Sequence, residues 1–110
     1  MSVVHIEAVI ANAGTESGVV DLTDRVLCAI HMPSDWDAAD LSLKAAVTAA
    51  GPFRAVVSDE FDELLTVAVD QVVVVPPDLT RGLAFVKLVA SAAQTPARTF
   101  YLATVEDDDA

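Results

Sequence analysis

The sequence predicts an all-β protein, a single antiparallel β-sandwich with a jelly-roll-like arrangement. Its 110 residues are enough for one domain with a real hydrophobic core. Hydrophobic residues make up 54% of the chain and most are alanine or valine, whereas aromatic residues are only 5%. Valine, isoleucine and threonine occur in short runs separated by Gly, Pro, Asp and Ser, which is the pattern of strands and turns. The regular spacing of these runs, without a fixed repeat period, favours a sandwich over a solenoid.

Eight or nine short strands are predicted. In residues 3–11 an apolar side chain occupies every second position, and residues 41–47 alternate in the same way, with Leu43 inward and Lys44 outward. Residues 25–32 are apolar on both faces, so this strand is predicted to lie centrally in its sheet. The predicted strands are residues 3–11, 19–22, 25–32, 41–47, 53–57, 65–69, 72–75, 83–90 and 98–105.

The connections between the strands are predicted to be loops and two one-turn helices. Residues 12–18 and 91–97 are loops by composition. Residues 34–40 follow Pro33 and begin with Ser34 as a helix N-cap, while residues 76–82 begin with proline and end with glycine. We expect Trp36, within the first connector, to be mostly buried as a plug over one end of the sandwich.

The charge of the chain restricts its partners. The formal net charge is −11, from 17 acidic and 6 basic residues, so no basic groove for nucleic acid or for an anionic membrane surface is expected. No apolar stretch is long enough for a transmembrane helix, and residues 1–10 do not resemble a signal peptide. The single Cys28 suits folding in a reducing cytoplasm. We predict a sandwich domain at residues 1–105 and an acidic tail at residues 106–110.

Catalytic and metal-binding motifs are not evident in the sequence. Cys28 and His31 are three residues apart, and on a strand this odd offset directs them to opposite faces. The acidic clusters at residues 35–40 and 59–63 lack the spacing of a calcium loop, so solvated charge is the simpler interpretation. No nucleophile elbow and no glycine-rich phosphate loop occur. The protein is therefore predicted to need no cofactor and not to be an enzyme.

Several segments resemble a family of small tailed-phage virion structural proteins. Residues 25–33 read RVLCAIHMP and residues 35–41 read DWDAADL, similar to the family's MP-x-x-W-x-AA-x-L signature. Residues 72–79 read VVVVPPDL, and the FVKL sequence of residues 85–88 is similar to its P-x-x-x-x-G-x-x-FVKL segment. Residues 96–102, PARTFYL, are similar to its closing strand. The resemblance extends over residues 19–105; the family's Asp-Gly hairpin after the fourth strand is absent here.

This resemblance implies a structural role in a virion. The most concrete expectation is a capsid decoration, or cement, protein of a tailed phage or phage-like particle, made in the host cytoplasm and held on the capsid by non-covalent contacts. Its partners would be the major capsid protein or other virion proteins, and it would be a homo-oligomer. Two alternatives are a tail, neck or fibre component of the virion and a carbohydrate-binding β-sandwich module, in which Trp36 or Tyr101 would stack on a sugar.

With few basic side chains to pair with acidic partners, the interface is expected to be apolar with the acids at its rim. The candidate interface residues are apolar side chains at strand edges or in loops. Each could instead cap the protein's own core. These residues are Phe53, Phe61, Leu64 and Leu79.

Overall fold

The computed structural model describes residues 3–36, 39–56, 70–75 and 80–106. They form two antiparallel sheets packed face to face, which confirms the predicted all-β sandwich. The nine strands are β1 (Val3–Ile10), β2 (Gly14–Glu16), β3 (Val20–Asp21), β4 (Arg25–His31), β5 (Leu41–Ala46), β6 (Arg54–Ala55), β7 (Val72–Val74), β8 (Phe85–Gln94) and β9 (Arg98–Glu106).

The strand order is that of a jelly roll. The first sheet has the order β1-β9-β4-β7, and the second sheet has the order β2-β8-β5-β6, with β3 pairing with β8 beside β2. When β2 and β3 are counted as one interrupted strand, the eight strands fall into the two four-stranded sheets of two nested Greek keys. As predicted, β4 is an internal strand of its sheet, paired with both β9 and β7.

The core lies between the sheets and follows the alternation of the strands. Along β8 the buried residues include Val86, Leu88 and Ala90, and along β9 they include Phe100 and Leu102. Because successive side chains of a strand point to opposite faces, the intervening residues of β8 and β9 face outward. The core is mostly aliphatic, and Phe100 is its largest fully buried side chain.

Buried threonine side chains form hydrogen bonds with backbone groups of the strands. Thr80 is fully buried, and its Oγ1 accepts a hydrogen bond from Leu27 N at 3.1 Å and lies 3.3 Å from Leu27 O. Leu27 lies at the irregularity of the β4–β9 ladder. In β9, Thr104 donates from Oγ1 to Val4 O of β1 at 2.9 Å. Thr80 thereby gives the buried Leu27 amide the partner that burial away from water requires.

Some predicted elements differ from the structure. Residues 12–18 were expected to be a loop, but Gly14–Glu16 forms β2 because it pairs with β8. Strand β8 accordingly continues through residues 91–94, which composition had assigned to a loop. Val47, which the alternation of the predicted strand at residues 41–47 places inward, lies just beyond β5 and is 87% exposed. The predicted strand at residues 65–69 lies outside the described residues.

The two one-turn helices are not confirmed. Residues 34–36 contain a bend and no helical turn, and residues 37 and 38 lie outside the described part. Of the second connector, residues 76–79 also lie outside it, and Leu83 N donates to Thr80 O at 3.0 Å in a turn. Ser34 is exposed, and proline and serine were weak guides here because both also favour non-helical turns.

Trp36 packs against the core, so its predicted burial is confirmed in part. Its ring lies 5.4 Å from that of Phe100 with an interplanar angle of 77°, an edge-to-face contact. The indole Nε1 donates to Ala39 O at 3.2 Å. The side chain is half-buried, so it covers the end of the sandwich without being enclosed by it.

Candidate interaction surface

The outer face of the first sheet is unusually apolar for a protein with this charge. We call it the apolar face and define it by the outward positions of its four strands. These are Val3, His5, Glu7 and Val9 of β1; Thr99, Tyr101, Ala103 and Val105 of β9; Ala29 and His31 of β4; and Val72 and Val74 of β7.

Large hydrophobic side chains are concentrated on this face. Of the eight that are exposed in the described residues, five belong to it: Val3, Val9, Val72, Val74 and Tyr101. Val74 is 78% exposed and Tyr101 is 50% exposed. Among the twelve positions of the face, Glu7 is the only carboxylate, although the chain has 17 acidic residues. A concentration of exposed apolar side chains on one face is typical of an interaction site.

Two histidines meet at the centre of the apolar face. His5 of β1 lies opposite Ala103 of β9, and His31 of β4 lies opposite Tyr101. The imidazole rings are 5.4 Å apart between centroids and inclined by 67°. The small side chain of Ala103 leaves room above β9 for this contact. Because each ring can donate and accept hydrogen bonds, the pair adds polar specificity to an apolar surface.

The outer face of the second sheet has the opposite character. We call it the charged face, comprising Glu16, Ser42, Lys44, Ala46, Phe85, Lys87 and Val89. Glu16 Oε2 lies 2.6 Å from Lys44 Nζ, and Glu16 Oε1 lies 3.8 Å from Lys87 Nζ. The hydrogen bond from Lys44 is the main cause that holds the pKa of Glu16 below its ordinary value. Each of these three charges therefore already has a partner of opposite sign within the chain.

The four candidate interface residues are not all within the described part of the chain. Phe61, Leu64 and Leu79 lie outside it. Phe53 is half-buried, and the Lys87 ammonium lies 4.7 Å from the centre of its ring, a cation–π distance. Phe53 thus contacts the charged face of its own chain, and its role in binding another protein stays a prediction.

Sequence reasoning missed the apolar face because it looked for exposed apolar residues outside the strands. One signal was present: residues 72–75 are four consecutive valines, without the alternation that a half-exposed strand normally shows. A valine run can indicate a strand buried on both sides. In β7, which is at the end of its sheet's strand order, Val72 and Val74 are exposed instead.

One cavity of about 450 Å³ opens at one end of the second sheet. Its lining is mostly small and apolar, and Arg54 is the only charged residue among the described lining residues: Ala45, Ala46, Val47, Pro52, Arg54, Gly82, Leu83 and Ala84. Ligand sites normally combine apolar walls with several converging polar groups. The lining described here does not provide that set.

The described residues do not form a metal-binding cluster of three or more His, Cys, Asp or Glu side chains. In the acidic cluster at residues 35–40, Asp35 pairs with Arg98 at 2.9 Å, and Arg98 is itself buried. Arg98 also donates to Thr95 O at 2.7 Å. Asp35 therefore has a structural partner. The second acidic cluster, at residues 59–63, lies outside the described part.

The fold and the two outer faces are the features from which a function can be inferred, because comparison with known proteins adds no further information. Searches against protein-family models, curated proteins and solved structures found no match to this chain. Across the described ranges, the structure has no helix with the length and apolar character that crossing a bilayer requires. The apolar face is thus the feature that best indicates function, and its chemistry is that of binding.

Proposed function

We propose that this protein is a non-catalytic structural component of a tailed-phage or phage-like virion, and most concretely a capsid decoration protein. The observation that carries the binding role is the apolar face of the first sheet. Its partner would be the major capsid protein, bound through the exposed side chains of this face, which include Val72 and Val74 of β7 and Tyr101 of β9. Binding would place the protein in the virion after synthesis in the host cytoplasm.

The distribution of charge supports an interface on this face. Charged residues are depleted from the cores of protein interfaces, because each buried charge must be desolvated. The apolar face contains one carboxylate, Glu7, whereas the chain as a whole has a net charge of −11. Acidic groups elsewhere on the surface would keep free copies soluble and would repel packaged DNA.

The size of the face suits a protein that binds in many copies. Three inter-strand spacings and the eight residues of β1 give a footprint of roughly 400 Å². A standard protein interface buries about 800 Å² on each partner. One face therefore supplies about half of a stable interface, and decoration of a capsid would depend on additional lateral contacts between copies.

The assignment to a virion is supported by the resemblance of three segments that contribute residues to the apolar face. Residues 25–33 contribute His31, residues 72–79 contribute Val74, and residues 96–102 contribute Tyr101. Jelly rolls are also found in viral capsid and lectin domains, but a fold by itself does not define a function.

A tail, neck or fibre location would use the same face on a different virion partner. The carbohydrate-binding alternative has one specific observation in its favour, since Tyr101 is half exposed on the outer face of the first sheet. Trp36 is less suited to stacking on a sugar, because its ring packs on Phe100 and its Nε1 is hydrogen bonded. A glycan array signal that disappears in Tyr101→Ala would favour the carbohydrate-binding function.

The direct test is binding of the purified protein to phage heads that lack it. We expect Val74→Asp to reduce binding at least tenfold, because the substitution buries an unpaired carboxylate in the interface. Val47→Asp is the matched control: Val47 is 87% exposed but lies outside the apolar face, so its substitution should leave binding unchanged.

Both variants should fold like the wild type, because neither valine belongs to the core. Equal binding by Val74→Asp and wild type would contradict the role of the apolar face. Binding to purified tails and not to heads would move the protein to the tail, and binding to neither would refute the virion role.

A further inference from the structure

Strand β1 has a long edge that the described residues leave open. It pairs with β9 through all eight of its residues without a register shift. On its other side, the contacts made by described residues are confined to its C-terminal end: Gly18 N donates to Val9 O at 3.2 Å, and Ile10 forms a bridge with Ser17. An edge strand presents backbone N–H and C=O groups that another chain can pair with.

The contact at Val9 defines which backbone groups point outward from this edge. Because the Val9 carbonyl faces the open side and the strand is regular, the N–H and C=O groups of His5 and Glu7 also face it. The even-numbered residues face β9 instead. The Thr104 hydroxyl, which donates to Val4 O from β9, agrees with this assignment.

The β1 edge lacks the usual protection against pairing. Natural edge strands are often very short, or carry a proline, a bulge or several charges. Strand β1 is eight residues long, has no proline and carries one carboxylate, Glu7. By contrast, the described strands β7 and β6, at the opposite ends of the two sheets, have three and two residues.

We propose that β1 pairs antiparallel with β1 of a second copy of this chain, around a two-fold axis at Ile6. In this register His5 of each copy lies opposite Glu7 of the other. The ladder would extend from Val4 to Ala8 and stop where Gly18 occupies the open side of Val9.

The register follows from the odd–even alternation of the backbone groups along β1 and from the positions of its charged and titratable side chains. Only outward-pointing residues can form the hydrogen-bonded pairs, so the axis must pass through one of a few residues of β1. An axis at Glu7 would place two carboxylates opposite each other, and an axis at His5 would leave Glu7 opposite Val3. The axis at Ile6 forms two imidazole–carboxylate pairs, and an imidazole N–H can donate to a carboxylate. This self-complementarity is the reason for choosing a second copy as the partner.

Packing on the inner side of the edge agrees with the same register. Val4 is 42% exposed and Ile6 is half-buried, although both point toward the interior of the sandwich. In the dimer Ile6 would pack on Ile6 and Val4 on Ala8 of the other copy. The two first sheets would become one eight-stranded sheet and join both apolar faces. The dimer goes beyond the proposed binding to heads and does not require it.

Cysteine cross-linking tests the register. In a Cys28→Ser background, Ile6→Cys should form a disulfide-linked dimer under mild oxidation, because residues opposite each other in a non-hydrogen-bonded pair have Cα atoms about 4.5 Å apart. Val4→Cys is the matched control. Its two copies would be about 13 Å apart along the strands, so it should remain monomeric.

The control is stringent because Val4 is more exposed than Ile6. Random collisions would link Val4→Cys faster, so equal or faster linking of that variant would overturn the proposal. Circular dichroism of both variants would establish that they are folded.

A charge exchange provides a second test by analytical ultracentrifugation of the free protein. His5→Glu should weaken the dimer about tenfold, because two pairs change from attractive to like-charged. The double variant His5→Glu/Glu7→His restores both pairs and should restore the dimer. A wild-type protein that is monomeric at millimolar concentration would overturn the proposed dimer but would not affect the proposal that the protein binds heads. A protein that dimerises but does not bind heads would support the dimer and contradict the proposed head binding.

Discussion

The two outer faces of the sandwich have the same backbone architecture but opposite chemistry. On the charged face, Glu16 is surrounded by Lys44 and Lys87, and the Lys87 ammonium lies over the ring of Phe53. On the apolar face, Val74 and Tyr101 are exposed and the only carboxylate is Glu7. The charged face satisfies its polar groups within the chain, whereas the apolar face leaves hydrophobic area in contact with water.

This difference indicates which side of the molecule is available for binding. Displacing water from apolar side chains is favourable by about 25 cal/mol per Å². Covering the charged face would instead require desolvation of an ion cluster that already has its partners. A partner therefore gains more by covering the apolar face. Variants that alter the end of the sandwich, the charged face and the apolar face one at a time can test whether only the apolar face contributes to binding.

The largest effect is expected at Trp36, which belongs to neither face. Trp36→Ala should lower the free energy of unfolding by about 3 kcal/mol, at the lower end of the range for large aromatic truncations because the side chain is half-buried. Thermal or urea unfolding measures this loss. Binding to heads per folded molecule should not change.

Two results would contradict that separation of roles. An unchanged melting temperature would mean that the contact with Phe100 contributes nothing to stability. A normal melting temperature combined with lost glycan or head binding would make Trp36 part of the binding surface and would weaken the case for the apolar face.

The sequence predicted the strands of the core better than it predicted the surface. Alternation identified β1 and β5 because burial of one side dictates the residue type at every second position. It missed β2, a three-residue strand whose Gly14 and Glu16 are weak strand formers and are held by pairing with β8. Long-range pairing of this kind leaves little trace in a local pattern.

The candidate site was harder to predict for a related reason. Whether a valine lies in the core or on an exposed face depends on what covers its strand, and the sequence of residues 72–75 is the same in either case. The two faces could be distinguished only after the register placed Val74 opposite Ala29 and Lys44 opposite Lys87.

A smaller effect is expected from neutralising Glu16 on the charged face. Glu16→Gln should reduce stability at pH 7 by less than about 1 kcal/mol, because the ion pair with Lys44 is more than one-third exposed and screened by water. Binding to heads should be unaffected, since Glu16 lies on the opposite side of the sandwich from Val74.

The pH dependence of this difference has a definite sign. The Lys44 hydrogen bond lowers the pKa of Glu16 from an ordinary value of 4.5, so its contribution to stability is present above about pH 4.5 and is lost as the pH falls through the lowered value. The stability difference between wild type and Glu16→Gln should therefore shrink below pH 4.5. The pKa of Asp21 is lowered by its hydrogen bond with Thr23. Because Asp21 is present in both proteins, its contribution to the pH dependence of stability cancels in the difference between them. A difference that grows on acidification would show that the Lys44 contact does not stabilise the carboxylate.

The smallest change in binding is expected when the salt concentration is raised. This experiment distinguishes most directly which of the two faces binds the partner. If the apolar face binds the capsid, raising the salt concentration to about 0.5 M should change the dissociation constant less than threefold, because the Debye length is then only a few Å and apolar contacts do not depend on it. Binding through the charged face would instead weaken steeply, since Lys44 and Lys87 would have to exchange Glu16 for acidic groups of the partner. Titration of heads with labelled protein at low and high salt measures both outcomes. A loss of binding at high salt would assign the contact to charge pairing and remove the apolar face from the interface.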